Sequence, residues 1–365
     1  MKLRQVEARD FRNIARLDYH PEPGLNILLG DNAQGKTNIL ESIYVLSTGS
    51  SFRTGQDKNM IAYEKEAFIL RGRYNYNDRD IESVVSYNLN AGKNYLVNSK
   101  KTSFNNSDRL RVVLFTPDDL YLIKGSPGKR RQFLDFILGQ IKSEYDYNLA
   151  NYVKILKKRN FLLKREQSNT RSFKIIEDIF IENAARVILA RINLITILDE
   201  SSSLIYKEIS NEGQLKTRYA ISFPIDSGKI NLDILKTALK KQIQEKEEEE
   251  IRRKTSLVGP HLDDMHIYQD GRMARYFASQ GQQRNIAVAL KLAELYTFEK
   301  ISGFYPVFLL DEVLSELDAQ KRQLLLDHLQ EAEFQSFLTS VHLNDIDYSR
   351  AAVSMVEKGN LQGKG

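Results

Sequence analysis

Residues 25–37 read Leu-Asn-Ile-Leu-Leu-Gly-Asp-Asn-Ala-Gln-Gly-Lys-Thr, and they decide the fold. An apolar run leads into the motif Gly-x-x-x-x-Gly-Lys-Thr at residues 30–37, and helically spaced apolar residues follow over 39–46. A strand, a glycine-bounded loop and a helix in this order are the context of a phosphate-binding P-loop. The alternative is an ordinary glycine-rich turn with an exposed lysine, which the flanking strand and helix disfavour. We therefore predict a nucleotide-binding site here.

Each residue type in this loop has a physical role at a phosphate site. Gly30 and Gly35 allow backbone conformations that a Cβ would forbid. The loop N–H groups can then converge on phosphate oxygens at the positive end of the following helix. Lys36 is expected to bind the β- and γ-phosphates, and the Thr37 hydroxyl is expected to bind Mg²⁺. The loop therefore predicts a nucleotide and Mg²⁺ as ligands, and the kind of nucleotide is left open by these residues alone.

A second stretch supplies two carboxylates. Residues 306–310 are apolar and lead directly into Asp311 and Glu312. At the carboxyl end of a buried strand, Asp311 is placed to hold Mg²⁺ through water, and Glu312 to orient or deprotonate an attacking water. With a P-loop in the same chain, this pattern predicts a nucleoside triphosphatase.

A third stretch, Ser279-Gln-Gly281-Gln282-Gln-Arg284, precedes a strongly periodic helix. Ser279 and Gln282 have the spacing of a capping box. A Ser-capped helix N-terminus is also an anion site, so the two interpretations coexist. Such a helix need not reach the nucleotide bound by its own chain. We therefore predict that ATP is held between two copies in a twofold dimer.

Composition excludes several classes of protein. The 365 residues predict two or three domains. The absence of cysteine excludes disulfides, a thiol nucleophile and a cysteine metal site. A charged N-terminus and the lack of a long apolar run predict a cytoplasmic chain with no signal peptide and no membrane span. The net charge of +5 mildly favours a polyanionic partner.

The rest of the chain predicts an α/β protein with an inserted helical region. Alternating residues over 2–20 and 67–102 predict strands of an antiparallel sheet beside the nucleotide site. A 3.6-residue period begins near 119 and returns over 230–254, and residues 334–339 are interpreted as the final strand. We predict a head domain from residues 1–118 and 250–365, with a mainly helical arm from 119–249.

For three features, the spacing of the residues leaves two interpretations open. Lys157, Lys158 and Arg159 lie in a basic region with interleaved tyrosines, which suits a DNA backbone, although a solvated helix face is the commoner cause. Arg12 either reaches over a nucleotide or lies in a surface turn. His342 either senses the γ-phosphate or is a polar loop residue.

Taken together, these elements resemble the ABC/SMC-type ATPase heads, and within them the RecF family of bacterial recombination proteins. The stretches that carry the resemblance are Phe11-Arg-Asn-Ile14; Gly30-Asp-Asn-Ala-Gln-Gly-Lys-Thr-Asn38 with Leu40-Glu41; Gly125-Ser-Pro-x-x-Arg130-Arg131-x-Phe-Leu-Asp135; Gly259-Pro-His-x-Asp263-Asp264; and Ser279-x-Gly-Gln-Gln-Arg284 with Leu310-Asp-Glu-Val-Leu-Ser-Glu-Leu-Asp318. They span nearly the whole chain.

The resemblance implies an ABC-type head that dimerises on ATP, binds double-stranded DNA near double-strand/single-strand junctions, and hydrolyses ATP slowly. It also implies RecO- and RecR-type partners, recombinase loading at gaps, and association with the nucleoid. The residues to which it gives roles are Gly30, Asn32, Gly35, Lys36, Thr37 and Asn38 for nucleotide; Lys36 and Glu312 for catalysis; Thr37 and Asp311 for metal; Ser279, Gly281 and Gln282 for the nucleotide of a partner; Asp318 for the loop after the acidic pair; and Arg12 and Arg53 near the phosphates.

The chain departs from the family pattern at three places. Leu262 stands where an arginine is expected between His261 and Asp263. Thr116 and Pro117 stand where ABC heads usually carry a Mg²⁺-binding glutamine. His342 does not fall on the usual switch position.

Two other classes of protein have weaker support in the sequence. A DNA-processing enzyme of nuclease or helicase type would need a further metal cluster, and residues 259–264 offer the single candidate, with His261, Asp263 and Asp264. A transporter ATPase is disfavoured by the helical insertion and the basic character of the chain.

Overall fold

The computed structural model describes residues 1–210, 213–225, 228–343 and 347–362. The chain divides into two compact units. The two-segment unit comprises Met1–Asp119 and Ala287–Gly365, and the inserted unit comprises Leu120–Ile286.

The first segment contains β1 (Lys2–Phe11), β2 (Ile14–Tyr19), β3 (Leu25–Leu29), α1 (Lys36–Thr48), β4 (Ala67–Tyr76), β5 (Arg79–Asn88), β6 (Gly92–Val97), β7 (Lys100–Lys101) and β8 (Val112–Phe115). Next come α2 (Tyr121–Lys124), α3 (Pro127–Ile141), α4 (Ser143–Lys164), α5 (Arg171–Ser210), β9 (Leu215–Ala220), α6 (Leu232–Arg253), β10 (Asp264–Gln269), β11 (Arg272–Met273) and α7 (Ala274–Phe277). The chain ends with α8 (Gln280–Ser302), β12 (Val307–Leu310), α9 (Ala319–Glu331), β13 (Ser336–Ser340), β14 (Ala352–Glu357) and β15 (Asn360–Gln362).

A mixed sheet carries the P-loop. Its strand order is β15-β14-β3-β13-β12-β8, and neighbours are parallel except β14 and β15. All residues of β12 and β13 are buried, as expected for central parallel strands covered on both faces. The P-loop strand β3 and the strand that leads to Asp311 are therefore separated by β13 alone.

An antiparallel sheet completes the two-segment unit, in the order β2-β1-β4-β5-β6-β7. Its buried residues form one apolar core with those of α1 and of the mixed sheet, including Phe11, Phe68, Ile39 and Leu309. The inward face of α1 is therefore fixed by packing, which holds the P-loop helix in place.

The inserted unit is mainly helical, with α5 running over 40 residues. It also contains a small sheet, β11-β10-β9, in which Leu215 pairs with Gln269 and Ala220 with Asp264. This pairing draws the segment after α6 into the inserted unit. The unit consequently ends at Ile286 and not at the boundary near 249 that the sequence suggested.

The interpretation of residues 334–339 as the final strand was wrong, because β14 and β15 follow β13. Most residues of β14 are partly exposed, so the strand lacks the apolar run that identifies β12. Within the described ranges, no helix is both long and apolar enough to cross a bilayer.

Candidate nucleotide-binding site

The loop between β3 and α1 requires its two glycines. A Cβ on Gly30 would collide with the backbone oxygen of Val356 in β14. Gly35 has φ of 110°, and a Cβ there would lie 2.9 Å from Oδ1 of Asn13. Both positions therefore exclude a side chain, as the motif predicts.

Lys36 is the first residue of α1, and its side chain contacts this loop. Its buried ammonium group donates hydrogen bonds to the backbone oxygens of Gly30 (2.6 Å) and Asp31 (2.8 Å). Burial lowers the pKa of Lys36, and the nearby carboxylates of Glu312, Asp311 and Asp31 oppose this shift. A cation is thus held at the N-terminal end of α1.

The start of α1 has the donor set that fits a phosphate. Throughout α1, which the structure describes in full, no side chain caps the N-terminus and no acidic residue occupies the first turn. The N-terminal N–H groups and the helix dipole therefore favour an anion there. Together with Lys36, this chemistry fits the β- and γ-phosphates of a nucleotide.

Thr37, Asp311 and Thr339 form a hydrogen-bonded cluster at the carboxyl ends of neighbouring strands. The hydroxyls of Thr37 and Thr339 each donate to Oδ1 of Asp311 over 2.9 Å. The Thr339 hydroxyl also accepts a hydrogen bond from the backbone N–H of Glu312 at 2.9 Å. Two residues far apart in sequence, Thr37 and Asp311, thus meet as the sequence predicted for a metal site. A hydroxyl and a carboxylate are oxygen ligands suited to Mg²⁺.

Asp311 is buried, whereas its neighbour Glu312 is exposed. Burial raises the pKa of Asp311, and its hydrogen bonds with Thr37 and Thr339 oppose the rise. Glu312 has φ of 53°, the left-handed region that costs a residue with a Cβ free energy. The strained turn after β12 leaves one carboxylate at the metal-type cluster and the next one accessible to water.

The sequence did not single out Thr339. It lies one residue before the end of β13, the strand between β3 and β12. The available signal was a polar residue ending an apolar strand, which resembles Asp311 after β12. Only the strand order makes Thr339 the hydrogen-bonding partner of both acidic residues.

Three polar residues predicted near the nucleotide lie along one face of α1. Arg12 and Arg53 both approach Glu41, and Arg53 Nη1 also donates to Oδ1 of Asn38 at 2.7 Å. Asn38 Nδ2 in turn donates to Oδ1 of Asn13 at 2.7 Å. Arg12 is therefore held by a carboxylate of the P-loop helix, and its contact with a nucleotide stays a prediction.

Two other predicted residues are exposed. Asn32 lies in the P-loop between Gly30 and Gly35, and His342 follows β13. The backbone oxygen of His342 accepts a hydrogen bond from the Ser340 hydroxyl at 2.7 Å. Their roles toward a nucleotide stay predictions.

Ser279 and Gln282 form a reciprocal capping box at the start of α8. The backbone N–H of Ser279 donates to Oε1 of Gln282 (2.8 Å), and the N–H of Gln282 donates to the Ser279 hydroxyl (3.2 Å). Gly281 is exposed in the first turn. The capping interpretation is confirmed, and the role toward the nucleotide of a partner stays a prediction. Ser279 belongs to the inserted unit, whereas the P-loop belongs to the two-segment unit.

Asp318 caps α9. Its carboxylate accepts from the backbone N–H of Lys321 at 3.0 Å and pairs with the ammonium of Lys321 at 2.6 Å. These bonds lower the pKa of Asp318. The residue predicted for the loop after the acidic pair is thus ionised and fixed at a helix start.

The prediction that Arg159 is a DNA-binding residue was wrong. Its side chain is 1% exposed and pairs with Glu250 (2.6 Å) and Glu177 (2.8 Å). The guanidinium also lies over the rings of Phe173 and Phe180. Lys157 and Lys158, by contrast, are exposed. The basic run in α4 therefore divides between two faces of the helix, and only the lysines face solvent.

The position of the missing glutamine is filled by a turn that faces α8. The N–H of Thr116 donates to Oδ2 of Asp119 at 2.7 Å, and Asp119 lies 3.8 Å from the ammonium of Lys291. Burial raises the pKa of Asp119, and Lys291 opposes the shift. Within the two-segment unit, Asp119 of this turn therefore contacts both Thr116 of the same turn and Lys291 of α8.

The candidate nuclease cluster is committed to structural contacts. Asp264 pairs with Arg130 at 2.7 Å, and Asp263 accepts from the hydroxyl of Tyr219 at 2.7 Å. Nδ1 of His261 lies 2.5 Å from the Tyr152 hydroxyl, and burial lowers the pKa of His261. Within the described ranges, no three potential ligands from His, Cys, Asp and Glu form a metal-binding group. Leu262, the departure from the family pattern, is exposed.

The comparison with protein families gives a match over nearly the whole chain. The model described as "RecF/RecN/SMC N terminal domain" matches residues 2–361. The chain is 36% identical over 372 residues to the DNA replication and repair protein RecF of Bacillus velezensis, covering 99% of this chain and 100% of the relative. It is 37% identical over 354 residues to the protein of the same name from Pediococcus pentosaceus, covering 95% and 94%.

The comparison with solved structures also gives matches over nearly the whole chain. A structure described as the recombination mediator protein RecF-ATP in the RecFOR pathway superposes with a TM-score of 0.89 at 31% identity, covering 100% of this chain and 98% of the other. A structure of an SMC head bound to the C-winged helix domain of ScpA superposes with a TM-score of 0.58 at 16% identity, covering 99% and 96%. The second likeness concerns the fold.

Proposed function

Since the chain belongs to the RecF family of DNA replication and repair proteins, we propose that it is an ATP-dependent DNA-binding protein whose two copies close on ATP. The observation that carries this proposal is the cluster at the ends of β3, β13 and β12. There, Lys36, Thr37 and Asp311 lie beside the strained, exposed Glu312. A relative described with ATP supports the choice of nucleotide.

The chain's own residues would divide the work at this site. Lys36 and the first turn of α1 would bind the β- and γ-phosphates of ATP. Thr37 and Asp311 would hold Mg²⁺, which neutralises phosphate charge when bound. Glu312 would orient a water molecule and accept its proton as ATP is cleaved to ADP and phosphate. We propose a slow, DNA-stimulated hydrolysis that resets the protein.

The dimer would be completed by α8 of a second copy. Ser279, Gly281 and Gln282 lie at a helix N-terminus, and Asp318 lies at the start of α9. A helix N-terminus attracts the γ-phosphate of ATP, a group that ADP does not have. The nucleotide state would therefore control dimer formation.

DNA is the proposed macromolecular ligand, with double-stranded DNA and its junctions with single strands as substrates. Lys157 and Lys158 are exposed on α4 and suit binding to phosphates. RecO- and RecR-type proteins are the proposed partners, since similar solved structures are described within the RecFOR pathway. We propose a cytoplasmic, nucleoid-associated location on the same grounds. The salt dependence of duplex binding is the measurement that tests the DNA assignment.

The alternative, an ATP-dependent nuclease or helicase, has less support. The carboxylates of Asp263 and Asp264 are already held by Tyr219 and Arg130. A metal there would have to replace these contacts.

The Glu312→Gln variant gives the test of the proposed function. It keeps the size of the side chain but removes the proton acceptor, so ATP should bind and stay uncleaved. Light scattering with saturating ATP and Mg²⁺ should then show a trapped dimer, whereas Lys36→Ala should stay monomeric because it does not bind ATP. A Glu312→Gln protein that binds ATP but remains monomeric would contradict the dimer model.

A further inference from the structure

Glu41 is a fully buried carboxylate on the P-loop helix to which the sequence patterns gave no role. Its side chain is 0% exposed. Both of its oxygens accept from one guanidinium, with Arg12 Nε to Oε2 at 2.9 Å and Arg12 Nη2 to Oε1 at 2.5 Å. The third nitrogen, Arg12 Nη1, donates to the backbone oxygen of Asn59. Arg12 is thus fixed by its whole guanidinium.

A second arginine reaches the same carboxylate from a different loop. Arg53 Nη1 lies 3.5 Å from Oε2 of Glu41. The Ser51 hydroxyl donates to Glu41 and accepts the backbone N–H groups of Arg53 (2.9 Å) and Thr54 (3.0 Å). Glu41 therefore organises the loop that carries Arg53, as well as the turn that carries Arg12.

The position of Glu41 on α1 gives this arrangement a direction. Residues four apart on a helix share one face, so Glu41 lies just over one turn, about 6 Å along the axis, behind Thr37. Asn38, three residues before Glu41, accepts a hydrogen bond from the same Nη1 atom of Arg53 that approaches Glu41. Two guanidiniums are therefore held along the face of α1 that begins with Thr37.

Compensation of the buried charge of Glu41 does not account for the second arginine. A buried carboxylate needs one good partner, and the bidentate contact with Arg12 supplies it. The second arginine adds a positive charge, so two cations surround one anion beside a helix start that already favours anions. Such an excess suits a polyanionic ligand at the start of α1.

We propose that Glu41 is a positioning residue for the nucleotide site: its buried carboxylate holds Arg12 and Arg53 so that their charge acts on the phosphates of a nucleoside triphosphate. This rests on the proposed function, since it assumes that the phosphates bind at the start of α1. Glu41 itself does not touch the ligand. It acts through the two arginines.

The Glu41→Gln variant separates this role from simple electrostatics. Removal of a negative charge near an anion site should by itself tighten ATP binding. If Glu41 positions the arginines, the same change releases them, and the dissociation constant for ATP with Mg²⁺ should instead rise about tenfold, the order seen when groups that orient ligands are removed. Titration calorimetry with ATP measures the direction. An unchanged or tighter affinity in a folded variant overturns the proposal.

A double-mutant comparison tests whether Glu41 acts through the arginines. In an Arg12→Ala, Arg53→Ala protein, Glu41→Gln should not weaken ATP binding further, because its partners are gone and only the loss of negative charge remains. An additive tenfold loss in that background overturns the proposal. If the wild-type protein itself fails to bind ATP, the proposed function fails first.

Ser51→Ala keeps the test decisive if Glu41→Gln does not fold. It detaches the 51–54 loop from Glu41 but leaves the buried carboxylate on Arg12, so the protein should still fold, with a small decrease in melting temperature, and bind ATP about threefold more weakly. Ser50→Ala makes the same chemical change one residue away and should not alter affinity. Equal affinities for the Ser51→Ala and Ser50→Ala proteins would overturn the role of the Arg53 loop.

Discussion

Asp311 shows how one residue can be unfavourable for stability and suited to function. It is buried at the end of β12, and burial raises its pKa. Its Oδ1 accepts from Thr37 and Thr339, which are neutral donors and compensate less than a cation would. The site therefore holds a carboxylate that a divalent cation would stabilise.

Asp311→Asn should stabilise the metal-free protein at neutral pH. The raised pKa means that the folded state binds the proton more tightly than the unfolded state, so stability from Asp311 is lost as pH rises through its folded pKa. An asparagine removes this loss and keeps an oxygen for both threonines. Thermal melts should show a higher melting temperature for Asp311→Asn than for the wild-type protein at pH 8. The difference between the two melting temperatures should become smaller toward pH 4.

The same variant should lose function. Without the carboxylate, Mg²⁺-dependent ATP hydrolysis should fall at least about tenfold. Asp118→Asn, at an exposed residue of the same unit, is the matched control and should change neither property. A destabilised Asp311→Asn protein at pH 8 would contradict this account of Asp311.

The N-termini of α1 and α8 differ in whether a side chain caps them. The start of α8 has a full capping box between Ser279 and Gln282, whereas α1 begins after Gly35 with no capping side chain along its fully described length. An uncapped helix start leaves N–H groups for an anion. The helix after the P-loop is therefore prepared for a ligand, and α8 is stable without one.

Substitutions of Ser279 separate its structural role from its proposed role in the dimer. Aspartate is as good a helix cap as serine, so Ser279→Asp should change stability little, whereas Ser279→Ala should cost about 1 kcal/mol. Aspartate also adds a negative charge at the position proposed to contact the γ-phosphate of the ATP bound by the second copy. Ser279→Asp should thus fold normally, bind ATP and fail to dimerise. ATP-dependent dimerisation equal to wild type, seen by light scattering, would leave Ser279 as a cap alone.

At the scale of the whole molecule, the ATPase-like sheet is built from both ends of the chain. β3 from the first segment pairs with β13 and β14 from the last one. The residues between, from Leu120 to Ile286, form a unit with its own buried ion pairs, such as Arg159 with Glu250. The chain can therefore carry the inserted unit without interrupting the strand order around the P-loop.

Long-range electrostatics gives the prediction for DNA. Reversal of Lys157 and Lys158 to glutamate should weaken duplex binding and flatten its dependence on salt, by about 0.9 in the logarithmic slope for each DNA phosphate that the variant no longer neutralises. Lys240→Glu with Lys241→Glu makes the same change in charge at exposed residues of α6. If both pairs change the slope equally, the effect comes from net charge and not from the α4 surface.

Much of the chemistry was predictable from the sequence because it depends on local structure. The P-loop, the acidic pair Asp311-Glu312 and the Ser279 capping box are each defined by residues a few positions apart, whose backbone conformation and side chains act together. Family membership follows from several such motifs in one chain. The strands that carry strong apolar patterns, such as β3 and β12, were predictable for the same reason.

Which of these groups meet depends on how distant segments of the chain pack together. Thr339 joins Asp311 to Glu312 because β13 lies between β3 and β12, and Glu41 holds two arginines because two distant loops fold onto α1. Arg159 faces inward although its two lysine neighbours face solvent, and β9 takes its partner β10 from beyond the predicted domain boundary. Strand order, helix facing and loop docking are set by the burial of apolar surface over the whole chain, which no local pattern contains.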